Sequence, residues 1–300
     1  MSQPLSTTEP CTEFSTRFVA NIKSMPPLPK VAQQIIDRLD DEFIDGNEVA
    51  DIIAQDPAIS GRLLGLANSA YFGLSQPVAN MRDVVNRVFG ADHVRTLAFA
   101  LATRQSFDTG KCQHFDANSF WRQSLLTATF CKRISLSMTT LEPHDRDYAF
   151  VLGLCQGIGL LALAFVDPER LDQLLTDAPQ SDAVALDNAL MQEFGATNWT
   201  LTAALAKHWN MPDKIVDTYS AFGAVGDGLP PLAIMLQTAV NAANAQSEQS
   251  FEDDMPHAHI ECFNEHALAL GIEPEKLDQA LNLSESQAYT VNASAQLMSG

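Results

Sequence analysis

Residues 25–73, MPPLPKVAQQIIDRLDDEFIDGNEVADIIAQDPAISGRLLGLANSAYFG, predict a series of short amphipathic helices. After a Pro-rich entry, one face of a first helix carries the apolar residues Val31, Ile35, Ile36 and Leu39. Asp56 is a favourable N-cap residue and Pro57 is favourable in a first helical turn, so this pair predicts the start of a further helix. That helix is expected to bury Ile59, Leu63, Leu64 and Ala67.

The helical period continues through the rest of the chain, and the alternation of apolar and polar residues that is typical of strands is absent. Residues 81–103 predict two helices that are split at Gly90. Their outline is that of a helix-turn-helix, but the second helix presents only Arg95 and Arg104 among apolar residues, so we interpret both helices as core. The sequence therefore predicts an all-α protein of roughly a dozen helices.

Acidic side chains outnumber basic ones by 37 to 18 in the 300 residues, which gives a net charge of −19 at pH 7. Nucleic acids and anionic membranes attract clustered Lys and Arg, so this balance argues against both as partners. The five cysteines are scattered, which is typical of a reducing cytoplasm rather than of a disulfide framework. The N-terminus lacks the basic and apolar regions of a signal peptide, and we expect it to be a short disordered lead.

The stretch 148–166 contains no charged residue and approaches the length of a membrane-spanning helix. It holds three glycines and a glutamine, however, and acidic residues flank it at Asp147 and Asp167. We therefore interpret it as a helix that is buried on all sides in a protein core. The pair Gln156-Gly157 in its middle is unusual for such a helix and needs an explanation.

Residues 25–73 resemble an HDOD domain, a relative of the HD phosphohydrolases that is found in bacterial signalling proteins. The resemblance is carried by the Pro-Pro-Leu-Pro entry, the Asp-Pro-Ala helix start and the Leu-x-x-Ala-Asn-Ser-Ala-x-x-Gly helix end. It continues through FWRQSL, FVLGLCQGIGLLAL and EFGATNWTLTAALAKHWNMP, and covers residues 15–245. It implies an HDOD-type multi-helix fold in which an N-terminal helical subdomain packs on a degenerate HD-like helical core.

This resemblance and the composition predict four parts along the chain. Residues 1–13 are the disordered lead, and 14–109 are the N-terminal helical half of the HDOD domain. Residues 115–245 are the degenerate HD-like half, and 246–300 are a C-terminal helical extension. The internal boundary is placed at the composition break DTGKCQH, 108–114.

The resemblance also identifies positions that would hold a metal. In catalytic HD enzymes, the helix corresponding to 150–165 carries adjacent His and Asp residues, which bind a divalent metal with a preceding His and a downstream Asp. The metal activates water against a phosphoester, which requires imidazole and carboxylate ligands. In this sequence the His-Asp position holds Gln156-Gly157. The preceding His position holds Gln123, and a further position that is often His holds Asn198.

The absence of this ligand set predicts a non-catalytic, cytoplasmic HDOD signalling module that needs no metal or other cofactor. The resemblance implies a protein partner in a bacterial signalling pathway, or a small signal molecule as ligand. The alternative is a metal-dependent phosphohydrolase of the HD superfamily, acting on a nucleotide or a cyclic dinucleotide. A helical scaffold that assembles through its own surface is a third interpretation, which needs no site at all.

Gln156 and its neighbouring glycines then require a structural role. An unpaired buried amide costs a few kcal/mol, so we expect Gln156 to form a hydrogen bond with Gln123, Asn198 or another group of the former metal site. Gly153 and Gly157 are four residues apart on one helix face, which predicts the close approach of a neighbouring helix. The same positions could instead line a pocket that is retained for a small ligand.

Two further groups of residues are candidates for function. Asn68, Ser69, Tyr71 and Phe72 follow a helix end, where they either pack as a C-terminal turn or belong to a recognition surface. His259, Cys262 and His266 share one face of a predicted helix and are candidate metal ligands. An apolar face on the same helix favours an ordinary amphipathic helix over a metal site.

Overall fold

The structure is a computed structural model of the chain, and it describes residues 25–38, 45–69, 74–107, 109–142, 145–180, 183–222, 228–248 and 266–299. Within these ranges all regular secondary structure is helical. It comprises fifteen α-helices for which both ends are described, and one π-helix. The prediction of an all-α protein is therefore confirmed.

The helices fall into two compact units, each of which is built from separate stretches of the chain. The first unit consists of residues 28–107, 117–154 and 234–300. The second unit consists of the described residues within 1–27, 108–116 and 155–233. The predicted division into continuous parts, 14–109, 115–245 and 246–300, stays a prediction.

The helices of the first unit up to residue 154 are α1 (Lys30–Ile36), α2 (Gly46–Ile53), α3 (Pro57–Ala67), α4 (Met81–Asp83), α5 (Ala91–Gln105), α6 (Ala117–Ser137) and α7 (Arg146–Cys155). A π-helix, Val84–Phe89, directly follows α4. The second unit contains α8 (Ile158–Val166), α9 (Pro168–Asp177), α10 (Ala183–Phe194), α11 (Asn198–His208) and α12 (Asp213–Ala221). The chain then forms α13 (Pro231–Glu248), α14 (Pro274–Leu281) and α15 (Glu285–Ser299).

Helix α3 begins where the sequence predicts it. The carboxylate of Asp56 accepts hydrogen bonds from the backbone N–H groups of Ala58 at 2.9 Å and Ile59 at 3.0 Å. These bonds satisfy two of the donors that every helix start leaves without an intrahelical partner. The helix buries Ile59, Leu63, Leu66 and Ala67, so Leu66 occupies the buried position that the sequence pattern assigned to Leu64.

The predicted split at Gly90 is also confirmed. Gly90 ends the π-helix and precedes α5 with φ +81°, a backbone conformation that favours glycine. In α5, Leu97, Phe99 and Leu101 are at most 1% exposed, although they do not share one helix face. Helix α5 is therefore a core helix, as the sequence predicts, rather than a recognition helix on a surface.

The apolar stretch 148–166 forms two helices instead of the single predicted one. Helix α7 ends at Cys155 and α8 begins at Ile158, with a turn at Gln156 and Gly157 between them. In the part of the chain that the structure describes, Arg146–Val166 is the one stretch long and apolar enough to cross a membrane, and 78% of its most apolar 18-residue window is buried. The stretch is thus a buried core element, as predicted, but it is broken.

Gly153 allows α7 to approach α6 closely. A Cβ atom added to Gly153 would lie 2.5 Å from Cα of Ala128 on α6, a distance that real Cβ atoms do not reach. Gly153 therefore has the predicted packing role. Gly157 does not share it, because it is the N-cap residue of α8 with φ −107° and ψ 5°, so the predicted pair of glycines on one helix face does not form.

We expect Gly153→Ala to lower the free energy of unfolding by about 1–3 kcal/mol or more, because the added methyl group overlaps backbone atoms of α6. The matched control is Gly61→Ala in α3, where no atom of the described residues lies within 4 Å of an added Cβ. That change should raise the free energy of unfolding by about 0.5–1 kcal/mol, through helix propensity alone. Urea denaturation measures both; a Gly153→Ala variant as stable as the wild type would contradict the close contact.

Candidate functional site

The structure brings together three of the four residues that the resemblance assigns to the metal-ligand positions of HD enzymes. Gln156, Gly157 and Asn198 lie in the second unit, at the α7–α8 break and at the start of α11. Gln123 lies on α6 in the first unit. The candidate site is therefore the one formed around the break by Gln156, Gly157 and Asn198.

The side-chain amide of Asn198 stands between two backbone groups of the broken helix. Its Nδ2 donates a hydrogen bond of 2.8 Å to the main-chain oxygen of Gln156. Its Oδ1 accepts one of 3.2 Å from the backbone N–H of Leu160. In an unbroken helix that N–H would donate directly to the Gln156 carbonyl, four residues earlier. The amide of Asn198 thus replaces one intrahelical hydrogen bond with two bonds through its own side chain.

Thr202, one turn further along α11, makes a second connection of the same kind. Its hydroxyl donates to the main-chain oxygen of Gln156 at 3.2 Å and accepts from the backbone N–H of Gly159 at 3.1 Å. Thr202 is completely buried. No sequence motif points to Thr202, although its spacing of four from Asn198 places both residues on one face of α11.

Gly159 makes this approach of α11 sterically feasible. A Cβ atom added to it would lie 2.6 Å from the backbone nitrogen of Thr202 and 2.6 Å from Cβ of Leu201. Any larger residue would push α11 away from α8 and lengthen the hydrogen bonds of Asn198 and Thr202. The glycine that allows close packing in this unit is therefore Gly159, which the sequence analysis did not single out.

A hydrogen bond of the Gln156 side-chain amide with Gln123, Asn198 or another group of the former metal site is expected from the sequence, and it is not seen among the described residues. It is the main-chain oxygen of Gln156 that accepts from Asn198, not the side-chain amide. Among the described residues, no hydrogen bond to the side chain of Gln156 is seen, and this side chain is only half-buried. The cost of an unpaired buried amide, on which the prediction rested, therefore does not arise.

Asp187 on α10 forms a hydrogen bond with the backbone of Asn198. Its Oδ1 accepts a hydrogen bond of 2.8 Å from the backbone N–H of Asn198, in the first turn of α11. Burial raises the pKa of Asp187, and the hydrogen bond from Asn198 opposes that effect. This half-buried carboxylate therefore contributes to the start of α11 and already has a partner.

Gln123 is engaged in a separate amide pair. Its Nε2 donates to Oδ1 of Asn244 on α13, the helix in which the family's downstream carboxylate is expected and no Asp or Glu occurs before Glu248. Both residues also take part in further interactions. Two neutral amides thus bond to each other where the resemblance would place metal ligands.

The residues present at the break do not fit a divalent metal. Such a metal needs imidazole, carboxylate or thiolate ligands in a fixed array with an open position for water. Asn198 offers a neutral amide of which both polar atoms are engaged, and Gly157 offers no side chain. Across the described ranges, no group of three or more His, Cys, Asp and Glu residues is arranged to hold a metal ion.

The remaining candidates have structural contacts where they are described. The Asn68 side chain pairs with the backbone of Val78, donating to its oxygen and accepting from its nitrogen, both at 2.8 Å. Ser69 lies beside it and its hydroxyl is buried without a partner among the described residues. Tyr71 and Phe72 lie outside the described residues, so a recognition surface at 68–72 stays a prediction.

The predicted ligand cluster of the C-terminal extension is described only in part. His266 shares a hydrogen bond of 2.8 Å between its Nδ1 and the hydroxyl of Thr238 on α13. His259 and Cys262 lie outside the described residues. His266 therefore contacts α13 through this hydrogen bond.

Several solved structures share the fold of this chain. A protein of Marinobacter aquaeolei VT8, named for signal transduction, is 20% identical with a TM-score of 0.72, over 100% of this chain and 68% of its own. A protein of Shewanella amazonensis SB2B, named as a phosphohydrolase, is 22% identical with a TM-score of 0.67, over 93% and 97% of the two chains. The MmoQ response regulator of Methylococcus capsulatus str. Bath is 26% identical with a TM-score of 0.50, over 86% and 99%.

One curated relative is an uncharacterized protein of Treponema pallidum (strain Nichols), which is 24% identical over 211 residues. The match takes in 69% of this chain but only 39% of that protein, so the chain spans well under half of its relative's length. Residues 25–222, more than half of the chain, match the family model of the HDOD domain. The chain therefore belongs to the HDOD domain family, whose fold it shares with relatives of HD-type phosphohydrolases.

Proposed function

We propose that this chain is a non-catalytic HDOD signalling module, which acts in the cytoplasm by binding another protein. The observation that carries the proposal is the helix break at Gln156 and Gly157. Asn198 and Thr202 lie there, at or beside the positions that the resemblance assigns to HD metal ligands. Their side chains form hydrogen bonds with the backbone groups that the break frees.

A change of Asn198 from this role to metal binding would carry a cost. Its amide would have to leave the Gln156 carbonyl and the Leu160 N–H, which lie in a largely buried segment. The Gln156 carbonyl would keep only the bond from Thr202, and the Leu160 N–H only the bond to the Gly157 carbonyl, so two hydrogen bonds of about 0.5–1.5 kcal/mol each would be lost. A neutral amide recovers little of this from a hard divalent cation without carboxylates beside it. The arrangement therefore supports binding rather than metal-assisted hydrolysis.

The signalling role is supported by the family and by the response regulator MmoQ, which resembles this chain over most of both chains. The net charge of −19 supports a protein partner over nucleic acid or an anionic membrane. Because the polar atoms of Asn198 and Thr202 are occupied, the break presents few groups that could orient a small signal molecule. We therefore favour a protein partner.

The hydrogen bonds of Thr202 should contribute measurably to stability. We expect Thr202→Val, which keeps the shape of the side chain, to lower the free energy of unfolding by about 1–3 kcal/mol, because the N–H of Gly159 loses its acceptor. The matched control is Thr218→Val. The buried Thr218 hydroxyl donates at 2.6 Å to the Lys214 carbonyl of its own helix, so that change should cost less than about 1 kcal/mol. Equal losses in urea denaturation would show that Thr202 does not hold the break.

The protein should purify without stoichiometric iron, manganese or zinc. With these metals supplied, we also expect no hydrolysis of bis(p-nitrophenyl) phosphate or cyclic dinucleotides above background. The double variant Gln156→His, Gly157→Asp should stay inactive as well, because Gln123 still replaces the preceding His and the downstream carboxylate is still missing.

Elemental analysis and a chelator control test whether the protein binds a metal and hydrolyses these substrates. The phosphohydrolase alternative would be supported by about one metal ion per chain that is retained when His259 and His266 are both changed to Ala. Chelator-sensitive turnover by the wild type that disappears in Asn198→Ala would overturn the non-catalytic proposal.

A further inference from the structure

The break between α7 and α8 separates two backbone groups that an unbroken helix would join. The main-chain oxygen of Gln156 and the N–H of Leu160 are four residues apart, which is the spacing of an α-helical hydrogen bond. In the structure the amide of Asn198 bonds to both of them. The N–H of Leu160 also donates to the main-chain oxygen of Gly157 at 3.0 Å, a bond of the tighter 3₁₀ type. A donor and an acceptor for a direct helical bond are therefore both present at the break.

The backbone at the break lies close to helical geometry. Gly157 has φ −107° and ψ 5°, so each of its two angles differs by about 45° from that of an α-helix. The stretch 146–166 contains no proline, which would remove a donor and clash with the preceding turn. Glycine lowers the helix propensity but is tolerated inside a helix. The covalent structure of this stretch therefore allows a continuous helix, and side chains of α11 hold the break.

Thr202 has an alternative acceptor within its own helix. Five other threonines in helices donate to the carbonyl four residues earlier in the chain, at 2.6–3.1 Å: Thr103, Thr129, Thr176, Thr218 and Thr238. Thr202 donates instead to the main-chain oxygen of Gln156. Its own carbonyl of that kind belongs to Asn198. A rotation about χ1 would therefore release the break and keep the buried hydroxyl bonded.

Asn198 lies where its amide can turn from the break to water. The residue is half-buried, in contrast to the completely buried Thr202. Its backbone stays in place, because its N–H donates to Oδ1 of Asp187 at 2.8 Å independently of the side chain. Water can satisfy an exposed amide as well as the protein does. New side-chain rotamers of Asn198 and Thr202 would thus free the backbone groups of the break.

We propose that the break is a two-state element, which alternates between the broken form held by Asn198 and Thr202 and a continuous helix across α7 and α8. In the continuous form the N–H groups of Gly159 and Leu160 donate directly to the carbonyls four residues earlier. Each of these backbone groups has a partner in either form, so neither form carries the cost of an unsatisfied polar group. This proposal rests on the proposed function, since it gives the same site a means of regulating the binding of a partner.

The two forms differ in what they offer to a bound protein. A partner that presents its own C=O and N–H groups to the amide of Asn198 takes the place of Gln156 and Leu160 there, and so favours the continuous helix. A partner that recognises the broken form has the opposite effect, because a ligand shifts such an equilibrium by its difference in affinity for the two forms. Metal binding gains nothing from the continuous form, since the released Asn198 is still a neutral amide.

The test removes both side chains that hold the break, in the double variant Asn198→Ala, Thr202→Val of the full chain. Backbone ¹³C chemical shifts, measured by NMR, report whether residues 156–157 are helical. We expect both residues to move to helical shifts. Relative to other amides of α8, exchange of the Gly159 and Leu160 amides should stay within about threefold of the wild type, because each gains a carbonyl acceptor. Unchanged shifts, with exchange of these two amides about tenfold faster or more, would overturn the proposal.

Three single variants separate the two forms. Thr202→Val alone leaves Asn198 in place, so residues 156–157 should keep their non-helical shifts while the amide of Gly159 exchanges faster. Gly159→Ala reaches the continuous form by another route, because the added Cβ pushes α11 away from α8, and it should give helical shifts at 156–157. Thr218→Val is the matched control, since its hydroxyl bonds within its own helix and its loss should leave these shifts unchanged. Non-helical shifts in both Gly159→Ala and the double variant would contradict the two-state element.

The wild type provides a measurement that needs no variant. Alternation between the two forms on the μs–ms timescale should give relaxation dispersion at the amides of residues 156–160, with helical shifts for the minor form. Dispersion with non-helical shifts of the minor form would overturn the proposal. Metal analysis and the hydrolysis assays do not depend on these outcomes. Failure of the two-state element would leave the non-catalytic proposal standing, and metal-dependent turnover would overturn that proposal without changing the NMR results.

Discussion

A helix that is interrupted inside an apolar core must find partners for the backbone groups that the interruption frees. At Gln156 and Gly157 those partners are two side chains of α11, which stand between the carbonyl of Gln156 and the N–H groups of Gly159 and Leu160. Without them the break would leave polar groups unsatisfied in a buried segment. The position of α11, and therefore of the residues that surround the break, depends on this requirement.

The three glycines of the apolar stretch serve this arrangement in different ways. Gly153 lets α7 touch the backbone of α6, and Gly159 lets α11 touch the backbone of α8. Gly157, in contrast, ends the helical geometry between them and begins α8. The positions that the resemblance relates to a metal site thus lie where the backbone needs support. The amide of Asn198 and the hydroxyl of Thr202 there bond to backbone groups on both sides of the break.

The net charge of the chain does not describe the surroundings of its individual charged side chains. The net charge of −19 describes the whole chain. Within the first unit, however, Arg62 and Arg104 donate to the main-chain oxygens of Leu297 and Ser299 in the last turn of α15. The net charge argues against classes of partner that need a basic surface. Only the positions of the individual charges decide which of them interact, because the interaction depends on distance and on burial.

The sequence by itself determined the all-α class, the start of α3 at Asp56, the split at Gly90 and the family, because caps, positive-φ glycines and helical periodicity act through neighbours along the chain. It also gave Asn198 as one of several alternative partners of the Gln156 side chain, whereas the bond that forms uses the main-chain oxygen of Gln156. The break in the apolar helix, the part played by Thr202 and Gly159, and the pairing of Gln123 with Asn244 were decided only by the tertiary structure. A periodic pattern defines which face of a helix is buried, but not which helix packs on it, and hydrogen bonds between residues 38 to 121 positions apart depend on that packing.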